Sequence, residues 1–461
     1  MNGKALQTPR LALSGGFNSA NERSRFGLLT LVTMLGWVTL LWMVAGPPVT
    51  LPGFPSGVRF YDLLWLGAAS LGLLVVVRSG RFPRVPGAPL LVAFLGYVAL
   101  ALILPLVGLI LLPNAQLAWY LGDLRWVQVL SIAALFLFAY HQGGYARFQL
   151  DLSRFLLGLI ALNAVVLGAQ VWLQNSGGSV PAILDLWYPE GGSAYGRYGF
   201  HINRYAGAMT YATGLGLIGG VMLLVGVLSA GAGWRAYLFG LAGLVFVVAS
   251  GLRSLLFGLP LLVMLALFYR MVLTGRSKKL RWHNLIVGSL ALSVVAWAVL
   301  KLNLGRMFSG DGRIAQTIGL LFGETTFHEV SGRGGERWIQ PIRESQDWTF
   351  LGTLVNPSHA LDGLPAFDSM YVFLFAQAGP VLLGGFLVFF TGLALSTWTV
   401  WQRDRSAGAL PMAVVMCFLL LSVSQNLVTG IPGRVLITLA VLHIILYITH
   451  RHGSGMRKRA L

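Results

Sequence analysis

Apolar stretches of 18 or more residues recur along this chain from about residue 26 to residue 449. A stretch of that length crosses the hydrocarbon core of a bilayer as a helix. In lipid the helix is favoured because it satisfies its own backbone hydrogen bonds. The charge content agrees. Only 10% of the 461 residues are charged, 56% are hydrophobic, and the mean hydropathy is +0.73. Soluble domains carry roughly 25% charged residues. The expected fold class is all-α integral membrane: a single polytopic domain over 1–461 with about 12 transmembrane helices.

The expected spans are 26–46, 60–77, 88–112, 124–140, 155–174, 205–229, 236–251, 254–274, 284–303, 370–396, 409–430 and 433–449. Basic residues in short loops mark the cytoplasmic side. With an inside N-terminus, 21 of the 33 Lys and Arg residues fall in breaks assigned inside; the short outside breaks hold Arg59, Arg125, Arg253 and Arg434. The expectation is a multi-pass protein of the cell inner membrane with both termini cytoplasmic. The first 25 residues lack a short apolar core followed by a cleavage site, so residues 26–46 are expected to be a retained span.

The net charge of +18 suggests nucleic acid at first sight, but its placement in loops between spans accounts for it, and no nucleic-acid module is present. Cys417, the only cysteine, lies in an apolar run; no intrachain disulfide can form. Much of the abundant glycine, 58 residues, sits inside spans and reads as helix-packing positions. There is no Walker A motif, no GxGxxG after a strand and no GxSxG nucleophile elbow, and His328, Glu329, His359 and Asp362 lack a paired metal-ligand spacing. No metal and no cofactor are expected.

Two outside loops carry the candidate chemistry. The first covers 175–204 and holds Asp185, Glu190, Arg197, His201 and Arg204; the second covers 304–369 and holds eight of the 15 acids with Arg306, Arg313, Arg333, Arg337 and Arg343. The long loop is expected to contain short helices. Positive charge outside runs against the topology bias and calls for a reason. One reason is an anionic headgroup, since guanidinium binds phosphate oxygens in pairs and stays charged. The other is ion pairing with acids of the same loop. Arg253 stands apart: it sits in Ser250-Gly251-Leu252-Arg253-Ser254 between two apolar spans, with no acid nearby in sequence. His359, within Asn356-Pro357-Ser358-His359, reads either as a loop hydrogen-bonder or as an acid/base group. Asp368 reads as a helix cap before the tenth span or as a base.

The Ser-Gly-x-Arg-Ser turn, the long outside loop and the polar pair opening the next span resemble the O-antigen ligase and O-antigen (polysaccharide) polymerase superfamily. Ser331-Gly332-Arg333-Gly334-Gly335-Glu336-Arg337-Trp338, followed by Gly352, is similar to the "GR…W…G" run of these enzymes. The ligases then show His-Asn/Ser, nine residues and Gly; here stand Asp368-Ser369, nine residues, Gly379 and Pro380. The resemblance covers about residues 195–400. It implies a GT-C-like membrane glycosyltransferase, independent of metal, that moves a glycan from undecaprenyl diphosphate to an acceptor at the periplasmic face. It implies that Arg253 and Arg333 hold the diphosphate, with Arg337, Arg197, Arg204, His201 and Arg313 as further binding groups, and that Asp368 or His359 is the base. Aspartate at the ligase histidine position leans toward the polymerase branch, with the ligase acting on lipid A core as the variant. The implied partners are the lipid-linked glycan, the bilayer, a flippase and a chain-length regulator. A transporter or flippase is the reading of another class. It needs polar residues at mid-membrane, where these spans have few charges.

Overall fold

The computed structural model describes residues 20–49, 59–79, 88–111, 120, 122–176, 182–188, 200–201, 204–209, 211–229, 233–252, 254–255, 258, 352–354, 369–422 and 425–459. Among them the chain forms helices α1 (Ala20–Ala45), α2 (Phe60–Ser79), α3 (Ala88–Leu111), α4 (Arg125–Gly143), α5 (Tyr145–Ser176), α6 (Ala182–Trp187), α7 (Ala212–Leu228), α8 (Trp234–Ser250), α9 (Met370–Arg403), α10 (Arg405–Leu421) and α11 (Ile431–Arg459). Two short strands, β1 (Phe200–His201) and β2 (Arg204–Tyr205), pair antiparallel. Six of the described helices are long and apolar enough to cross a membrane; α4, α7, α8 and α10 contribute shorter apolar helices. This is an all-α, multi-pass membrane architecture, and its ten apolar helices match ten of the expected spans. Of the expected spans 254–274 and 284–303, only residues 254, 255 and 258 are described.

The helices share one continuous apolar core. Trp37 of α1 stacks on Phe136 of α4 at 4.5 Å between ring centroids, and Tyr97 of α3 stacks on Phe389 of α9 at 5.6 Å. The opposite faces carry exposed aliphatics such as Val77, Ile110, Val388 and Leu395. A surface of that kind is stable against lipid tails and costly in water.

Contacts between helix ends sort those ends into two sets. At one end, called here the loop end, Trp187 Nε1 donates to the Ala45 carbonyl at 2.9 Å. There the Met370 N–H donates to the Ser422 carbonyl at 2.9 Å, and Thr213 Oγ1 meets Gln425 Oε1 at 3.0 Å. The opposite end gathers the turns that carry Arg78, Arg147, Arg235, Arg403 and Arg405. Asp404 caps α10 there, accepting from the Ala407 N–H at 3.0 Å.

Several boundaries differ from the sequence expectation: the fifth span was expected from 155 but α5 begins at Tyr145, the eleventh was expected to reach 430 but α10 ends at Leu421, and α11 runs on to Arg459 rather than 449. The sixth span was expected from 205, but α7 begins at Ala212. Residues 205–209 form a buried turn instead. Asn163 Oδ1 accepts from the Ala208 N–H at 3.0 Å, and Gln170 Oε1 accepts from the Gly207 N–H at 3.1 Å. Gly207 has φ +60°, a region that glycine enters freely. Two buried polar side chains of α5 thus stop the helix from extending backwards.

Candidate functional site at the loop end

The arginine at position 204 is the sequence-derived site residue whose side chain is described. Its Nε donates to the Ser250 carbonyl at 3.2 Å. Ser250 closes α8, and Gly251 follows in the left-handed conformation, φ 59°, which ends the helix. The last carbonyls of a helix lack intrahelical donors and carry the negative end of its dipole. A guanidinium is a suitable partner. The β1–β2 pair is therefore tied to the end of α8, three residues before Arg253 in the chain. His201 lies in β1, paired with Arg204, and its side chain lies outside the described residues. Arg197, Arg253, Arg313, Arg333, Arg337, His359 and Asp368 also lie outside them. The N-cap position of α9 is Ser369, whose backbone is extended and whose hydroxyl reaches the Ser422 carbonyl at 3.5 Å rather than capping its own helix.

Two landmarks of the sequence, Gly352 and Gly379, do meet. Helix α9 is broken at Ala378 and Gly379, where Gly379 takes φ 61°, ψ −158°. That conformation is essentially reserved for glycine. Pro380 follows and has no N–H, so the Ala376 carbonyl loses its normal intrahelical donor. The long loop supplies one from outside. The Thr353 N–H donates to the Ala376 carbonyl at 2.9 Å, and Thr353 Oγ1 lies 3.2 Å from the same oxygen. Gly352 makes the approach possible. Its φ is +64°, and a Cβ there would lie 2.5 Å from the Ala376 oxygen and 2.9 Å from the Gly379 nitrogen. On the other side Leu354 is buried, 8% exposed, against Gly108 of α3, where a Cβ would fall 2.7 Å from that of Leu354. Leu354 has φ 59°, a strained backbone for a branched side chain. The loop thus returns into the bundle and is held there by the break in α9.

The sequence pattern places Arg125 and Arg434 in short outside breaks and names no partner for either. Both are paired. Arg125 bonds Asp62 and Gln128 and stacks over Tyr61, 4.8 Å from the ring centroid. Arg434, 2% exposed, donates Nε to the Val428 carbonyl at 2.7 Å, Nη1 to the Gly122 carbonyl at 2.6 Å, and Nη2 to Asp123 at 3.2 Å. Burial pushes the Asp123 carboxyl above its ordinary range, and the Arg434 guanidinium offsets only part of that rise. The partners are separated by 311 positions, so local pattern gave no signal of the pair.

A cavity of about 540 Å³ also opens at the loop end. The end of α1, the start of α2, α6, the 208–217 segment and the 425–433 turn enclose it. Its wall holds Arg59, Tyr61, Trp187, Tyr211, Gln425 and Asn426 among others. Tyr188, also in the wall, is fixed from behind: its hydroxyl donates to the carbonyls of Gly207 and Met209. Burial pushes the Tyr188 phenol up, so it keeps its proton as a donor at neutral pH. Among the described residues no group of three or more His, Cys, Asp or Glu side chains gathers as a metal set.

No protein-family model matches this chain, and no curated protein matches it in sequence.

Proposed function

We propose that the chain is an inner-membrane glycosyltransferase with both termini cytoplasmic, and that it polymerises undecaprenyl-diphosphate-linked repeat units at the periplasmic face. The supporting observation is the seating of the long loop at the break in α9. The loop's Gly352 and the helix's Gly379, two positions of the family-like pattern, lie against each other. The Arg204–Ser250 tie adds to it by fastening the first loop to the turn that leads to Arg253.

In this mechanism an acceptor hydroxyl attacks the anomeric carbon of the lipid-linked sugar. The carbon–oxygen bond to the diphosphate breaks, and the electron pair leaves with the phosphate oxygen. Asp368, or His359, takes the hydroxyl proton. Arg253 and Arg333 hold the diphosphate and stabilise the charge that grows on it. Fixed guanidinium groups at the rim of a low-dielectric bundle suit that task, because little reorganisation is needed at the moment of reaction. Arg337, Arg197, Arg313, His201 and Arg204 are the outer binding groups. Transfer to lipid A core is the ligase variant of the same chemistry.

Arg253→Ala and Arg333→Ala should each lower chain extension by roughly 10²–10³-fold, the effect of removing one charge-stabilising donor. The measurement is the product ladder formed by purified protein from a lipid-linked repeat unit. Membrane levels of both variants should match the parent. Full-length polymer from both variants removes the catalytic assignment. Asp368→Asn compared with His359→Ala identifies the base: the variant that keeps its ladder is excluded.

A further inference from the structure

We propose that the loop-end cavity is a saccharide-holding site. It is enclosed by the end of α1, α6, the start of α7 and the 425–433 turn. The lining argues for it without reference to any reaction. At about 540 Å³ it lies in the range of small-ligand pockets and fits one or two sugar rings. A pyranose presents apolar C–H faces and hydroxyl edges that both donate and accept. The cavity offers the complement. Trp187, Tyr188 and Tyr211 supply flat aromatic walls. Gln425 and Asn426 supply side-chain amides, each with donor and acceptor atoms.

One atom sharpens the argument. Asn426 Oδ1 is buried and has no hydrogen-bond partner among the described residues. An orphaned buried acceptor costs free energy and calls for a donor. Asn426 lines the cavity, so a turn of its amide presents that acceptor to a sugar hydroxyl there. Arg59, the cation in the described wall, forms no ion pair among the described residues and leans on the Tyr61 ring at 5.9 Å. A single guanidinium amid amides, hydroxyls and aromatics matches an uncharged or singly acidic sugar better than a diphosphate, which calls for several cations.

The walls are also held in shape. The Trp187 indole is fixed to the Ala45 carbonyl and Tyr188 to Gly207 and Met209, so little order has to be created on binding. The role we assign, holding the saccharide while another unit is joined, rests on the transferase proposal; the binding itself does not.

Cysteine accessibility tests it. The native thiol, Cys417, is 0% exposed and gives little background. In full-length protein in lipid nanodiscs, Thr429→Cys places a reporter on the exposed part of the cavity wall. The probe is the oligosaccharide released by mild acid from the lipid extract of the native cells. It should slow maleimide labelling of the reporter at least about fivefold. Adding Asn426→Leu or Tyr211→Ala should remove that protection and leave the unprotected labelling rate unchanged. Tyr211 is 49% exposed, so its variant remains informative if Asn426→Leu fails to fold. Equal labelling with and without oligosaccharide overturns the proposal. So does protection that survives both variants, or protection by inorganic diphosphate alone. Arg253→Ala should keep the protection; its loss of polymer tests the transferase proposal alone.

Discussion

Helices α7 and α8 are packed by glycine, and helix α9 is broken by it. Between α7 and α8 the glycines face each other across a close contact: a Cβ on Gly226 would lie 2.6 Å from Gly240 Cα, and a Cβ on Gly243 would lie 2.5 Å from the Gly219 oxygen. None of these four has positive φ. They serve by lacking a side chain, which lets two helices approach until backbone meets backbone. In α9, Gly379 serves by its backbone freedom. It takes a conformation closed to other residues, and with Pro380 it frees a carbonyl for the returning loop. The same residue type closes one part of the bundle and opens another. The packed pair is a scaffold; the break is where residues 352–354 enter the bundle.

Substitution separates the two uses. The largest effect is expected from Gly243→Leu, since the new side chain meets the α7 backbone, which cannot yield as a side-chain tip can. The cost should be about 3 kcal/mol, the upper end for overpacking. It should appear as loss of monodisperse protein after detergent extraction. Normal yield and melting temperature would mean that the α7–α8 contact is not needed for assembly. Gly352→Ala comes next. It should unseat the loop through about 1–2 kcal/mol of left-handed strain added to the clash with the Ala376 oxygen. Chain extension should fall at least about tenfold, with melting temperature nearly unchanged because the break in α9 remains. An unaltered product ladder would separate the seated loop from function. The smallest effect belongs to Gly96→Ala in α3, where nothing lies within 4 Å of the added methyl group. Melting should rise slightly, by about 0.5–1 kcal/mol of helix preference, with activity intact. A loss of stability there would mean that glycine is demanded even where no neighbour is near.

The architecture was legible because a span has one dominant signal, its uninterrupted apolar run. Ten such runs correspond to described helices. One boundary that failed, the start of the sixth span, is set by distant side chains. Asn163 and Gln170 lie inside α5, and nothing around residue 205 announces that they hold its backbone. The candidate site divides in the same way. Gly352 and Gly379 could be picked out as family-like positions, but their contact joins residues far apart in sequence. It depends on the carbonyl that Pro380 leaves unbonded, a detail local pattern cannot convey. Arg204 was expected among the diphosphate- or glycan-binding groups; its bond to a helix-end carbonyl, 46 positions away, had no signal in local pattern. The cavity escaped notice because its polar residues are drawn from four separate stretches, none of which forms a motif alone.

The buried guanidinium of Arg434 has a consequence for how the protein is made. It sits near the start of the last described helix, while its carboxylate stands at position 123, before α4. During synthesis that acid is made long before Arg434 exists. Until the final helix arrives, its carboxyl has to stay hydrated or take a proton, because an unpaired charge is too costly to bury. The last helix thus completes a pairing that the early ones leave open.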